Sequence, residues 1–421
     1  MASRRLLADL TPLRESSAYR RLWLGSSLSS VGSQMTQFAV ALQVYLLTHS
    51  SAAVGVVGLV SAIPAITCGL LGGTVIDAVD RRRLVLFTSS LLALTSAALA
   101  LQALAQLDQL WLLYVLVAVQ SLLGSINAPA RRTFMPRLLP PDQVPAGVAL
   151  TMLTMHVSLV IGPTMAGLLT AAGGLKLCYL LDAVSFLAAL YGVFRLPAMR
   201  PEGGAVRPSL RAVAEGLRFL RRSQVLYGAL LADVNATLLA MPFALFPAIN
   251  AERFGGSPRT LGLFTASVAV GGILGSGLSG PVGRVTRQGR AMLIAGAIWG
   301  LSLAGFGTAH ALVPTLVFLL VAGVADVSSV VLRSTIIQVG TPDAYRGRIS
   351  AAEFVVGASV PELGNFRAGA IGSLTSPGFS AVAGGLAAAA GTAVLALALP
   401  ALVRYDASST SVTSSDQPAR R

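Results

Sequence analysis

Charge is scarce in this chain. Asp, Glu, Lys and Arg together make up 11% of its 421 residues, against roughly 25% in soluble globular proteins, and this excludes an ordinary soluble enzyme. Cysteine is nearly absent: Cys68 and Cys178 lie far apart in apolar surroundings, which excludes a disulfide framework. The three histidines (His49, His156 and His310) are scattered, so no ligand spacing for a metal exists. No GxxxxGK[ST] segment occurs, so the chain carries no ATP motor of its own. A membrane enzyme needs a clustered nucleophile, base or ligand set, and a sensor needs a long polar output segment; neither is present. No cofactor is expected.

What the chain has in abundance is apolar surface. Hydrophobic residues are 54%, glycines number 43, aromatics are only 6%, and mean hydropathy is +0.73. Such a mix suits packed membrane helices, and it is too apolar for bulk disorder. The apolar runs predict twelve spans of about 20 residues or more. They fall at 22–47, 54–76, 84–105, 111–129, 146–170 and 175–196, then 225–250, 258–282, 291–309, 313–332, 351–374 and 378–403. The first run is long and follows a polar lead, so it is expected to be a span and not a cleavable signal.

The net charge of +14 and a pI near 11 would suggest nucleic acid in a soluble protein. The distribution argues otherwise, and no nucleic-acid partner is expected. Twenty-seven of the 31 basic residues fall at the N-terminus, the even-to-odd loops, the central loop and the tail; Lys176, Arg253 and Arg259 fall on the other side, and Arg367 within a span. This asymmetry predicts both termini in the cytoplasm. Five regions follow: a cytoplasmic N-terminal segment (1–21), a six-helix bundle (22–196), a linker (197–224), a second bundle (225–403) and a disordered, Ser/Thr-rich tail (404–421). In the linker, Leu210, Val213, Leu217 and Leu220 share a face flanked by arginines, which predicts a basic amphipathic helix on the inner membrane surface.

The halves repeat. GGTVIDAVDRRRL (72–84) is matched 207 positions on by SGPVGRVTRQGRA (279–291), and RTFMPRLLPPDQV (132–144) is matched 201 positions on by RSTIIQVGTPDAY (333–345). Two similar offsets in the same order argue for duplication of a six-span unit. GGTVIDAVDRRRL also resembles the loop 2–3 signature of the major facilitator superfamily. Together with AYRRLWLGSSLSSVGSQMTQFAVALQVYLLTHSSAAVG, LLDAVSFL and TPDAYRGRIS, it is similar to the siderophore-exporter and drug-efflux branch. The resemblance implies an all-α integral membrane protein with twelve transmembrane helices in two pseudo-symmetric six-helix bundles. It also implies a monomer in a bacterial inner membrane.

Ionisable groups inside spans are expensive: Asp at a helix centre costs about 2.5–3.5 kcal/mol on insertion scales. Asp182, Asp233, Asp326 and Glu362 bear that cost and are the candidates for proton coupling, Asp233 and Asp326 being alternatively interhelical hydrogen-bond or ion-pair partners near the inner gate, with Glu353 nearer a span end. Glu362 pairing with Arg367 is awkward, because five residues place them some 140° apart on a helix; Arg367 could instead attract an anion, lock a gate or pair structurally. Ser26, Ser30, Ser33 and Gln37 form a polar stripe on span 1, flanked by Gln34 and Gln43. With Gln120, His156 and Asn235 they are candidate cavity residues. Gly162, Pro163 and Gly167 in span 5 permit close packing and a kink, and resemble the span 5 signature of exporter branches.

Asp77, Arg81, Arg82 and Arg83 make up the loop 2–3 signature. In the family this loop braces the cytoplasmic side, and an ion pair made in only one state biases the equilibrium between states. Two departures stand out. Ala78 replaces the usual basic residue after the Asp, and VLVAVQSLLGSINAP in span 4 carries no arginine. The expected activity is secondary-active, proton-coupled export of a small amphiphilic molecule, siderophore-like or drug-like; import of a metabolite is the alternative.

Overall fold

The computed structural model describes residues 9–197, 199, 214–215, 218–221, 223–277, 285–342 and 345–406, with the backbone alone for 69–78, 346–348, 350 and 351. Every regular element among them is helical. Long helices run Ser17–Thr48 (span 1), Ser51–Ala78 (span 2), Arg81–Leu104 (span 3), Leu110–Arg132 (span 4), Val144–Gly173 (span 5) and Leu175–Phe194 (span 6). In the second half they run Gln224–Ala240 and Phe246–Phe254 (span 7), Pro258–Gly277 (span 8), Gln288–Thr308 (span 9), Leu312–Gly340 (span 10), Arg346–Leu374 (span 11) and Pro377–Ala398 (span 12). Ten of these segments are long and apolar enough to cross a membrane. Spans 1 and 11 fall outside that set although they hold 32 and 29 residues. They carry the Ser/Gln stripe and the Glu353, Glu362, Asn365 and Arg367 side chains.

Four boundaries differ from the hydropathy reading in ways that matter. Span 4 continues through Arg131 and Arg132, and span 10 continues to Gly340 through Arg333. The arginines assigned to loops are therefore helical, because a long cationic side chain lets the helix run past its apolar stretch. Span 7 is not continuous. It stops at Ala240, a short 3-10 turn follows at Phe243–Leu245, and helix resumes at Phe246. Pro242 has no N–H to continue the ladder. Span 12 likewise ends at Ala398, ahead of a short turn of helix at Pro400–Val403.

Ser and Asp residues start several helices by accepting orphan backbone N–H bonds. Ser16 accepts from Tyr19, Ser50 from Ala53, Ser223 from Leu226 and Ser376 from Phe379. Large apolar side chains point outward: Ile63, Phe87, Trp111, Leu187, Val313 and Leu397 are all exposed. A soluble surface rarely carries so much contiguous apolar area, and lipid accommodates it.

Contacts divide the chain into two compact units, Met1–Arg207 with Asn250–Ala266, and Pro208–Ile249 with Ser267–Arg421. In the first, Leu22, Val85, Phe134, Val193 and Met199 form a buried cluster. Residues 250–266 join this unit through small residues. A Cβ on Gly167 would sit 2.5 Å from the Pro258 carbonyl oxygen, and one on Gly262 would sit 2.7 Å from that of Pro163. In the second, Leu226, Leu230, Met292, Leu332, Ile336, Ile349 and Leu402 form the main core. The predicted amphipathic linker helix falls largely outside the described residues.

Candidate functional site

Buried polar groups in this fold gather into a few clusters, each within one unit. In the first unit Asp182 of span 6 is 1% exposed. Its Oδ2 accepts from Thr36 Oγ1 of span 1 at 2.8 Å and from Ser96 Oγ of span 3 at 2.7 Å. Gln120 of span 4 donates to Ser96 at 3.0 Å, so a hydrogen-bonded chain links four spans. The second oxygen, Oδ1, is buried without a partner. Nearby, Gln43 and Gln102 exchange amide bonds at 3.2 and 2.9 Å, and the Tyr179 hydroxyl donates to Gln43 at 2.8 Å.

A second cluster lies at the far end of span 4. Arg131 donates from Nη1 to Ser26 Oγ at 3.0 Å and from Nη2 to Ser89 Oγ at 3.2 Å. Asn127, one turn earlier, donates to Thr88 Oγ1 at 2.7 Å and to Ser89 Oγ at 2.9 Å. Hydropathy had placed Arg131 in a loop and left span 4 without an arginine; the longer helix brings this one against spans 1 and 3. Ser30 and Ser33 are half-buried and Gln37 is exposed. Gln34 faces span 5, where a Cβ on Gly162 would lie 2.4 Å from the Gln34 Cβ. His156 Nδ1 lies 2.8 Å from the Met152 carbonyl one turn back.

The loop 2–3 arginines do something the motif did not disclose. Arg82 donates to the carbonyls of Val193, at 3.4 Å, and Phe194, and its guanidinium lies 5.9 Å from the Phe194 ring centre. It thus caps the end of span 6, where orphan carbonyls favour a cation. Asp80, absent from the expected site, is the N-cap of span 3. Its Oδ1 accepts from the backbone N–H of Arg82 at 2.9 Å, Arg83 at 3.3 Å and Met199 at 3.3 Å. Desolvation pushes this carboxyl up, but those donors together with the nearby Arg83 charge hold it below the usual aspartate value. An Asp shortly before an apolar run, here with three arginines between, is a helix-start signal that would have found it. Arg83 is exposed, and the side chain of Asp77 lies outside the described residues.

The second unit concentrates its charge. Arg333 of span 10 and Asp233 of span 7 form an ion pair at 2.5 Å, with side chains 14% and 16% exposed. Asp326 of span 10 and Glu353 of span 11 both lie within electrostatic reach of that pair. Among the described residues, one guanidinium is thus bonded to one carboxylate and lies near two more. Glu362 accepts from Asn365 at 3.2 Å and is not paired with Arg367, as helix geometry predicts. Arg367 instead donates to the Leu239 carbonyl, capping the end of span 7 where Pro242 interrupts it. Asn235 donates to the Ala388 carbonyl at 2.9 Å and Thr392 Oγ1 at 3.2 Å, which commits its amide to packing against span 12.

Twelve long helical segments in two bundles, with ionisable side chains held inside them, define a multi-span membrane transporter of the major facilitator fold. The chain belongs to the transmembrane secretion effector family of that superfamily, whose model matches residues 7–419. It is 28% identical over 412 residues to the enterobactin exporter EntS of Escherichia coli O1:K1, covering 97% of this chain and 98% of the relative. It is 27% identical over 410 residues to the same exporter of Shigella boydii serotype 18, with the same coverage. Among solved structures it is similar to the nucleoside transporter NupG, at 15% identity and a TM-score of 0.73 over 92% of this chain and 100% of that one. A bacterial homologue of the iron transporter ferroportin, in an inward-facing state, matches at 16% identity and a TM-score of 0.69, covering 92% of this chain and 99% of that one. These structural likenesses establish the fold; the exporters among the relatives place the chain with efflux proteins and not enzymes.

Proposed function

We propose that this protein is a proton-driven exporter of a small siderophore-like molecule. It would work by alternating access in a bacterial inner membrane, with both termini in the cytoplasm. The likeness to enterobactin exporters along 97% of the chain supports the substrate class. The observation that carries the coupling is the group of carboxylates near Arg333 in the second unit. Among the described side chains, Asp233 is bonded to Arg333, and Asp326 and Glu353 lie within electrostatic reach of that pair. Isolated charge at membrane depth is costly, so a proton arriving at this cluster removes a negative charge. When the proton leaves, the arrangement around Arg333 must change, and that difference couples protonation to conformation. Glu362 and Asp182, each held by neutral donors, are further proton-carrying carboxyls in this reading. Asp77 with the loop 2–3 arginines serves as the cytoplasmic brace.

The test uses everted vesicles with an acid lumen. Adding catecholate siderophores and lipophilic drugs in turn should release lumenal protons with the siderophores. The release should be absent from vesicles lacking the protein. Folded protein that releases no protons with any compound would overturn the coupling.

A further inference from the structure

The two halves place an inward arginine one position apart in the repeat but give it different company. Arg333 meets the carboxylate of Asp233. In the first unit the inward arginine is Arg131, one position before the one the repeat pairs with Arg333, and it meets Ser26. Ser26 is 207 residues before Asp233, the offset that the first repeat match sets. A serine thus stands where the other half has the counter-charge.

We propose that Arg131, with the hydroxyl of Ser26, is a binding site for a carboxylate of the exported molecule. The inference rests on the reading of this chain as a small-molecule exporter. Among the described residues Arg131 bonds only the two serine hydroxyls, and its Nε is buried without a partner. The surrounding groups are donors. Asn127 gives its amide hydrogens to Thr88 and Ser89. Ser26 accepts from Arg131, and Ser89 accepts from both Arg131 and Asn127, so each hydroxyl keeps its O–H to donate. A partly buried guanidinium with two serine hydroxyls beside it and no carboxylate bonded to it is the chemistry of an anion site. Open space lies about two turns away along the same helix face. Gly124 lies seven residues before Arg131, on the same face of span 4, and a Cβ there would meet nothing within 4 Å.

The test compares binding of 2,3-dihydroxybenzoate with that of its uncharged amide to purified protein in nanodiscs. The wild type should prefer the carboxylate at least tenfold. Arg131→Gln should abolish that preference. Ser26→Asp should abolish it too, by supplying Arg131 with an internal partner like that of Arg333, and should melt at or above the wild-type temperature. It therefore keeps the test open if Arg131→Gln folds poorly. A wild type without preference, including one that binds neither compound, overturns the proposal, as does a preference that survives both substitutions. Proton release in the vesicle experiment is independent of this readout, so export can stand while the anion site falls.

Discussion

Removing the guanidinium of Arg333 should cost far more stability than removing the charge of its partner. Arg333→Gln removes the cation that Asp233 bonds and that Asp326 and Glu353 lie near among the described residues. Breaking a buried pair in this way costs about 3–5 kcal/mol, and exposures of 14% and 16% put this site at the low end, about 3 kcal/mol. Asp233→Asn instead leaves Arg333 with two carboxylates in reach and an amide still able to accept a bond. The loss is then that of one charge-assisted hydrogen bond exchanged for a neutral one, about 1 kcal/mol. The expected difference of about 2 kcal/mol is roughly a thirtyfold change in the unfolding equilibrium. Titration with dodecyl sulfate in mixed micelles measures it through helix content. The double variant should recover part of the Arg333→Gln loss, because one acid is gone. Equal costs for the two single variants, or a double variant at the sum of both, would refute a shared cation.

Glu362→Gln should abolish gradient-driven transport while membrane insertion and folding persist; coupled flux at the wild-type rate would reject a proton-carrying role. Asp80→Ala should lower stability by about 1 kcal/mol through loss of a helix cap, read as a lower melting temperature. Because the Asp80 carboxyl is held below its ordinary value, its contribution is fully present above the unfolded pKa and is lost as pH falls through the lower folded one. The difference between wild type and Asp80→Ala should therefore hold at pH 5–8 and shrink below about pH 4. Gly162→Val places a branched side chain where even a Cβ would lie 2.4 Å from Gln34, so spans 1 and 5 must part. A loss of about 1–3 kcal/mol is expected, with Gly162→Ala milder.

Much of this architecture is legible in the chain because lipid leaves few alternatives. Long apolar runs must be helices with their backbone bonds satisfied internally, and the arginine asymmetry alternates in step with the spans. What hydropathy misses is where a helix outlasts its apolar stretch. Arg131 and Arg333 look like loop charges because they follow the last apolar residues, yet both are helical and face other spans. Their importance follows from side-chain direction, which depends on rotation set by neighbours and not on the residue itself. The same holds for Asn235 and Arg367. Each is polar within a span and invites a cavity role, but one bonds span 12 and the other caps the broken span 7. The break itself had a visible sign in Pro242. The 140° between Glu362 and Arg367 is local geometry, which is why their separation could be read in advance.

The central claim is that a proton gradient drives the substrate outward. The most direct measurement is uptake of a labelled catecholate siderophore into everted vesicles with an acid lumen. The account predicts accumulation above the external concentration, collapse on adding a protonophore, and no accumulation with Glu362→Gln. Accumulation that persists without the gradient, or that requires a lumen more alkaline than the bath, would contradict it.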